Sequence, residues 1–527
     1  MSSVSAALIT PPQRAHSPRT RWIIAAVFGV LATVISAVGS WIPSLWGDEA
    51  ASLLSAERPI PSLLRMVTHV DAVHGLYYLI LHFWVDIAGT SAFALRLPSA
   101  FAIGVAVSAL TLLAGRGSNT KLAIIAGVIG CILPRLTYEG EEARSYPFSA
   151  ANATLMTLLL VWLVAGSGRT LPVHLRRWCW IAYGVGMALS SYLFLYFVSL
   201  LLAHLVLLAF SRVSRSTWRA WAICAGSIIL SLTPLLLLAY FERSQISYLA
   251  NSSVSPVTLL YSIWFSTPAV AVIAWLLIAA SLLQGVLRWR SHRLASVGAV
   301  AIRASHQPLS TTLIGASWLF VPTGALLVVN VVFPLYTERY SSFAAPAAAL
   351  LIAEGIVTLG AWLRRAIRLP ALAGTTAGAL VFVAICVPVY LSQRGPYSKN
   401  DSDWAEVSAA MGRVAHPGDA VVFDEGARPS QKPRLAMRTY PAGFAHVRDI
   451  TLKTPYYDND GWADRAYSVP GAAAHGRFTG VTRVWLIELD TDGHQHTYGI
   501  TDLLNLGFHE SGARVHTHRE MLIEFVR

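Results

Sequence analysis

Over its first 391 residues the chain alternates long apolar runs with short polar ones. A helix that crosses the hydrocarbon core of a membrane needs about 20 mostly apolar residues. Runs of that kind occupy 22–42, 97–115, 122–138, 148–166, 220–241, 266–287, 313–333, 341–360 and 370–391. The stretch 178–211 adds 34 residues without Asp, Glu, Lys or Arg. As one helix it would be roughly 50 Å long against a ~30 Å core. Both of its ends are basic (Arg176 and Arg177, Arg212 and Arg215), so the chain is expected to enter and return there, turning near residues 190–192. That makes eleven spans. After residue 391 the pattern changes. Trp404, Val407, Met411 and Val414 have helical spacing, and Pro417-Gly418-Asp419 turns into a strand at 420–423. Further strands are expected at 482–488 and 521–526, with a short helix at 502–506. The predicted fold class is a polytopic α-helical membrane protein with a C-terminal extracytoplasmic α/β domain. Its predicted parts are a cytoplasmic tail (1–21), a transmembrane catalytic domain (22–391) and the α/β domain (392–527).

Composition narrows the class. Hydrophobic residues make up 55% of the 527 and charged residues 13%, against about 25% charged in soluble domains. A large soluble enzyme and a disordered chain are both excluded. The net charge of +12 is unevenly placed: residues 1–391 hold 25 basic and 11 acidic side chains, residues 392–527 hold 15 and 17. Basicity confined to the apolar part points to cytoplasmic loops rather than nucleic acid. With the N-terminus inside, segments 1–21, 116–121, 167–177, 212–219, 288–312 and 361–369 carry 18 Lys and Arg and no acid. The opposite side up to residue 391 has seven: Arg58, Arg65, Arg96, Arg135, Arg144, Arg243 and Arg339. An odd number of spans then places 392–527 outside the cytoplasmic membrane. Arg14, Arg19 and Arg21 before the first run read as the flank of a retained span, not a cleaved leader. All four cysteines lie in apolar runs, so the C-terminal region has no internal disulfide. Its sequence shows no catalytic motif.

The acids gather on the exterior side, and Glu354 alone lies within a span. The first exterior loop, 43–96, opens with Trp46-Gly47-Asp48-Glu49. A carboxylate beside the hydrocarbon is costly and tends to be functional, and one within about 3 Å of a sugar hydroxyl could take its proton. The plainer reading is that Asp48 caps a helix beginning at Ala50. His69, Asp71 and His74 in the same loop, with Glu142 of the second, could contact substrate or hold a divalent metal; no third histidine or Cys pair supports a metal, and none is favoured. The other reading is an interfacial turn before an amphipathic helix at 76–87. The second exterior loop holds Glu139, Glu141, Glu142, Arg144 and Tyr146, and the fifth holds Glu338, Arg339 and Tyr340. An arginine there could grip a phosphate bidentately or pair with a neighbouring glutamate. Two Arg–Tyr loops on the side of an Asp-Glu loop suit an anionic, lipid-linked substrate.

These segments resemble the GT-C membrane glycosyltransferases, in the branch with bacterial protein O-mannosyltransferases and aminoarabinose lipid A transferases. The resemblance covers roughly 20–391. It rests on Asp48-Glu49 after the first span, His74-Gly75-Leu76-Tyr77-Tyr78, Ala94-Leu95-Arg96-Leu97-Pro98-Ser99, Glu142-Ala143-Arg144-Ser145-Tyr146 and Glu338-Arg339-Tyr340. Where the family often has His-Pro-Pro or Lys-Pro-Pro, this chain has His74-Gly75-Leu76. The helix at Asp403-Trp404 and the Pro417-Gly418-Asp419 turn are similar to actinobacterial members. The 36 arginines against four lysines also suit a high-GC bacterium. The resemblance implies an inverting transfer of sugar, mannose or arabinose, from polyprenyl phosphate to an exterior glycan, lipid or protein acceptor. It implies Asp48 as general base, Glu49 as an orienting acid and Arg144, Tyr146, Arg339 and Tyr340 as the phosphate site, with no cofactor required. A transporter or flippase is the alternative, but its ionisable groups would sit near mid-membrane. A sensor or scaffold would leave the three charged loops unexplained.

Overall fold

The computed structural model describes residues 18–527 apart from 117–118, 166–167, 169, 212, 244, 246–254, 299–308, 334–335, 369 and 492–496. The N-terminal segment up to residue 17, and 299–308 of the basic stretch 288–312, lie outside the described residues. Every apolar run read from the sequence is helical. Among the described residues, seven helices are long and apolar enough to cross a membrane, or eight if the bent pair Arg215–Ser231 and Thr233–Phe241 is one span. The remaining runs form shorter or more polar helices. The run at 122–138 divides into Thr120–Ile132 and Pro134–Glu139, and Pro134 takes the first position of the second helix, where its missing N–H would be unpaired in any case. The run at 178–211 divides at Phe194 into Val173–Leu193, a 3-10 turn at Leu195–Ser199 and Leu200–Ala209, close to the expected turn.

Small residues set how closely the helices pack. A Cβ on Gly355 would lie 2.0 Å from the Leu277 carbonyl oxygen, and one on Gly104 would lie 2.7 Å from that of Gly29. Backbones that approach this closely replace the hydrophobic drive that helices lack in lipid. The Ala345–Ile367 helix is the buried centre, fully covered from Ala347 to Ala353. The loop 43–96 folds into helices Gly47–Ala56, Ile60–Val67 and Gly75–Ala88, with a 3-10 turn at Ala72–His74.

The C-terminal region is a mixed sheet covered on both faces. Strand β1 (Ala420–Phe423) lies between β2 (Arg448–Asp449) and β5 (Arg483–Leu489), parallel to both. The sheet continues antiparallel through β7 (Glu520–Val526) to the edge strand β6 (His509–His516). A short hairpin pairs β3 (Leu452–Thr454) with β4 (Arg465–Ala466). Alternate residues of each strand face opposite ways, so Val421, Phe423, Trp485 and Ile487 meet the Trp404–Val414 helix. Ala420, Val422, Val484 and Leu486 meet Val469, Leu503 and Phe508. The first core also takes in Ala50 and Leu54 of the loop 43–96. The loop and the C-terminal region therefore share a core.

Candidate active site

Asp48 is in the first turn of Gly47–Ala56, where a carboxylate suits the helix dipole. It is not the cap. Trp46 holds that position, without a side-chain hydrogen bond. Asp48 instead faces arginines from two other loops. The Arg339 guanidinium donates to Asp48 Oδ2 at 2.7 Å, and Arg144 comes within 3.9 Å of the same oxygen. Arg144 also donates to the Asp48 carbonyl at 3.2 Å and to His74 Nε2 at 2.9 Å. The Asp48 side chain keeps 21% of its surface exposed and Arg339 25%, against 7% for Arg144. A partly open carboxylate thus sits beside two cations.

Because Arg144 can only donate, His74 Nε2 accepts and the imidazole is neutral. Burial, then Arg144 and Arg339, hold its pKa well below the usual histidine value. Asp71, in the left-handed region at φ 58°, accepts from Tyr78 at 3.2 Å. Burial raises its carboxyl above the ordinary range, with Arg144 and Tyr78 opposing. His69 is exposed and turns to the Arg65 carbonyl at 2.9 Å. His69, Asp71 and His74 therefore have separate partners, and no group of three His, Cys, Asp or Glu suited to a metal occurs among the described residues.

Glu49 is placed apart from the open site. Neither it nor Arg96 has exposed side-chain surface. Arg96 meets both carboxylate oxygens, at 2.8 and 2.5 Å, and donates to the carbonyls of Ser40, Pro43 and Ser44. Glu49 also accepts from Ala143 N–H at 2.8 Å. Glu49 thus ties the first loop to the second. Glu142 is buried as well, and its carbonyl accepts from Ser99 at 2.6 Å. Tyr146 is buried against Phe194, with Arg144 6.0 Å from its ring centre. Tyr340 stacks on Tyr196, ring centres 4.5 Å apart.

Three contributors were not singled out from sequence as site residues. Trp46 lies under Arg339, 5.6 Å from guanidinium carbon to ring centre. Ser52 Oγ is 3.5 Å from Arg144. Lys399 is fully buried with Glu141 at 3.6 Å and the Tyr138 ring at 3.3 Å. Its signal was its rarity, one lysine of four, at the start of the C-terminal region. Around Asp48, the buried N–H groups of Trp46, His74 Nδ1, Arg144 Nε and Arg339 Nε have no partner among the described residues. The site holds more donors than the protein's own acceptors use, which suits an anion.

The chain superposes on the crystal structure of ArnT from Cupriavidus metallidurans bound to undecaprenyl phosphate. The TM-score is 0.54 over 96% of this chain and 98% of that one, at 12% identity. The protein shares the fold of that ArnT structure. The apo structure of the same ArnT gives a TM-score of 0.53 with the same coverage and identity. No family model matches the sequence, and no curated protein matches it. The likeness is thus one of fold.

Proposed function

We propose that the protein is an inverting glycosyltransferase. It moves a sugar, mannose or arabinose, from a polyprenyl-phosphate donor to an acceptor outside the cytoplasmic membrane. Asp48 is the general base. The observation that carries this reading is the open carboxylate of Asp48 held between Arg339 and Arg144. Two facing guanidiniums can take a phosphate in place of Asp48, since both charge-assisted pairs draw on the same donors. The arriving lipid phosphate then frees the carboxylate it displaces.

The acceptor hydroxyl gives its proton to Asp48, and its oxygen attacks the anomeric carbon from the face opposite the phosphate. The bond from that carbon to the phosphate oxygen breaks. The electron pair leaves with the polyprenyl phosphate, whose charge Arg144 and Arg339 stabilise. His74, neutral, holds Arg144 without competing for the anion. Tyr146 and Tyr340 flank the arginines, and Glu49 fixes the loop that delivers Arg144. ArnT bound to undecaprenyl phosphate supports a polyprenyl phosphate as the lipid. The positive-inside charge pattern supports an exterior site and an exterior C-terminal domain. The test is incubation of purified protein with radiolabelled polyprenyl-phosphate mannose and arabinose plus an exterior membrane fraction as acceptor. Loss of label from one donor is expected; hydrolysis or transfer of neither contradicts the reading.

A further inference from the structure

The residues leading into Asp48 are held by the C-terminal region. Ser44 N–H donates to the Pro396 carbonyl at 3.0 Å, and Ser44 Oγ accepts from Ala405 N–H at 3.2 Å. Leu45 N–H donates to the Tyr440 hydroxyl oxygen at 2.8 Å, and the Leu45 carbonyl accepts from Ser402 at 2.7 Å. Gly47 has no room for a side chain: a Cβ there would lie 2.4 Å from the Ser430 carbonyl oxygen and 2.5 Å from the Ser430 Cβ. One turn on, Ala50 and Leu54 are fully buried among Trp404, Met411, Phe423 and Leu435. The helix does not fix its own start, since Trp46 makes no side-chain capping bond.

We propose that the C-terminal domain sets the position of Asp48. Tyr440 and the Ser430 carbonyl are the positioning contacts, and Gly47 is the residue that lets them close. This rests on the reading of Asp48 as general base. A base works only within hydrogen-bond reach of the proton it takes, and misplacement by about 1 Å costs about 10²-fold in rate. The α/β domain is thereby part of the catalytic machinery, although none of its residues touches the reacting atoms.

Gly47 makes the idea testable. Its φ is not positive, and alanine is the better helix former. The three atoms nearest an added Cβ all belong to Ser430, so Gly47→Ala perturbs the domain contact and little else. Tyr440→Phe removes the acceptor of Leu45 N–H and adds no bulk. In full-length purified protein, both variants should lower kcat by about 10²-fold while the donor KM stays near the wild-type value. Amide exchange across residues 44–52 should quicken in both. Ser511→Ala, on the exposed edge strand, should change neither. Should Gly47→Ala not fold, Tyr440→Phe decides. Wild-type kcat in Tyr440→Phe, with Asp48→Asn inactive, overturns the positioning role and leaves the base in place. A raised KM with unchanged kcat, or unchanged exchange across 44–52, overturns it too. Asp48→Asn turning over like wild type removes the base, and this proposal with it.

Discussion

Glu49→Gln removes one charge from an ion pair whose two side chains have no exposed surface. Arg96 would keep the carbonyls of Ser40, Pro43 and Ser44 but would lose the carboxylate that meets it on two oxygens. Breaking a buried pair from one side costs about 3–5 kcal/mol, because the remaining charge is left uncompensated. At about 1.4 kcal/mol per tenfold, the loss exceeds about 100-fold in the folded ratio. Arg96→Met should cost a similar amount, leaving Glu49 with the Ala143 N–H alone. The double variant Glu49→Gln/Arg96→Met should cost less than the two singles together, as contacting residues couple by about 0.5–3 kcal/mol. The assay is heat challenge of detergent-purified protein, followed by size-exclusion chromatography of the surviving monodisperse fraction. Turnover is then normalised to that fraction. Glu49→Gln should be unstable yet retain far more turnover per folded molecule than Asp48→Asn. Two singles within about 0.5 kcal/mol of the parent, the range of ordinary surface changes, would refute the buried-pair reasoning.

Arg144→Ala and Arg339→Ala should each lower kcat by about 10²–10³-fold, the usual loss when one charge-stabilising donor is removed. The defect should follow the lipid-linked donor in kinetics with each substrate varied, and an acceptor-only defect would overturn the phosphate role. His74 gives the pH prediction. Its lowered pKa means that the fold favours neutral imidazole. The stabilisation is full above the ordinary value of about 6.5 and is lost as pH falls below it towards the lowered value. Stability should therefore fall on the acid side, and His74→Gln, which can accept from Arg144 but cannot titrate, should lessen that fall when thermal stability is followed against pH. An unchanged fall in stability would assign it to another group.

Much of the fold could be read from the residues. The last apolar run, 370–391, is the helix Ala371–Gln393, and the strand expected at 420–423 is β1. Apolar length and strand alternation are local properties, and local properties survive folding. Strand β6 escaped because its residues are mostly exposed and polar and Gly512 interrupts them, so it carries no alternation to read. At the site, Asp48 and Glu49 look equivalent as neighbours in sequence. On a helix, adjacent residues diverge by about 100°, which sends Asp48 to the opening and Glu49 to the interior. The partner that decides Glu49's fate, Arg96, is 47 positions away. The hold of Tyr440 on Leu45 spans 395 positions. No periodicity reaches that far.

Asp48→Asn keeps the size of the side chain and a hydrogen-bonding oxygen for Arg339 while removing the basicity. The direct measurement is single-turnover sugar transfer from radiolabelled polyprenyl-phosphate donor, by wild type and Asp48→Asn, at matched amounts of folded protein in membranes. The predicted result is transfer by wild type and a loss of about 10²–10⁴-fold in the variant, the span of general-base contributions. Asp48→Asn transferring sugar at the wild-type rate would contradict the account.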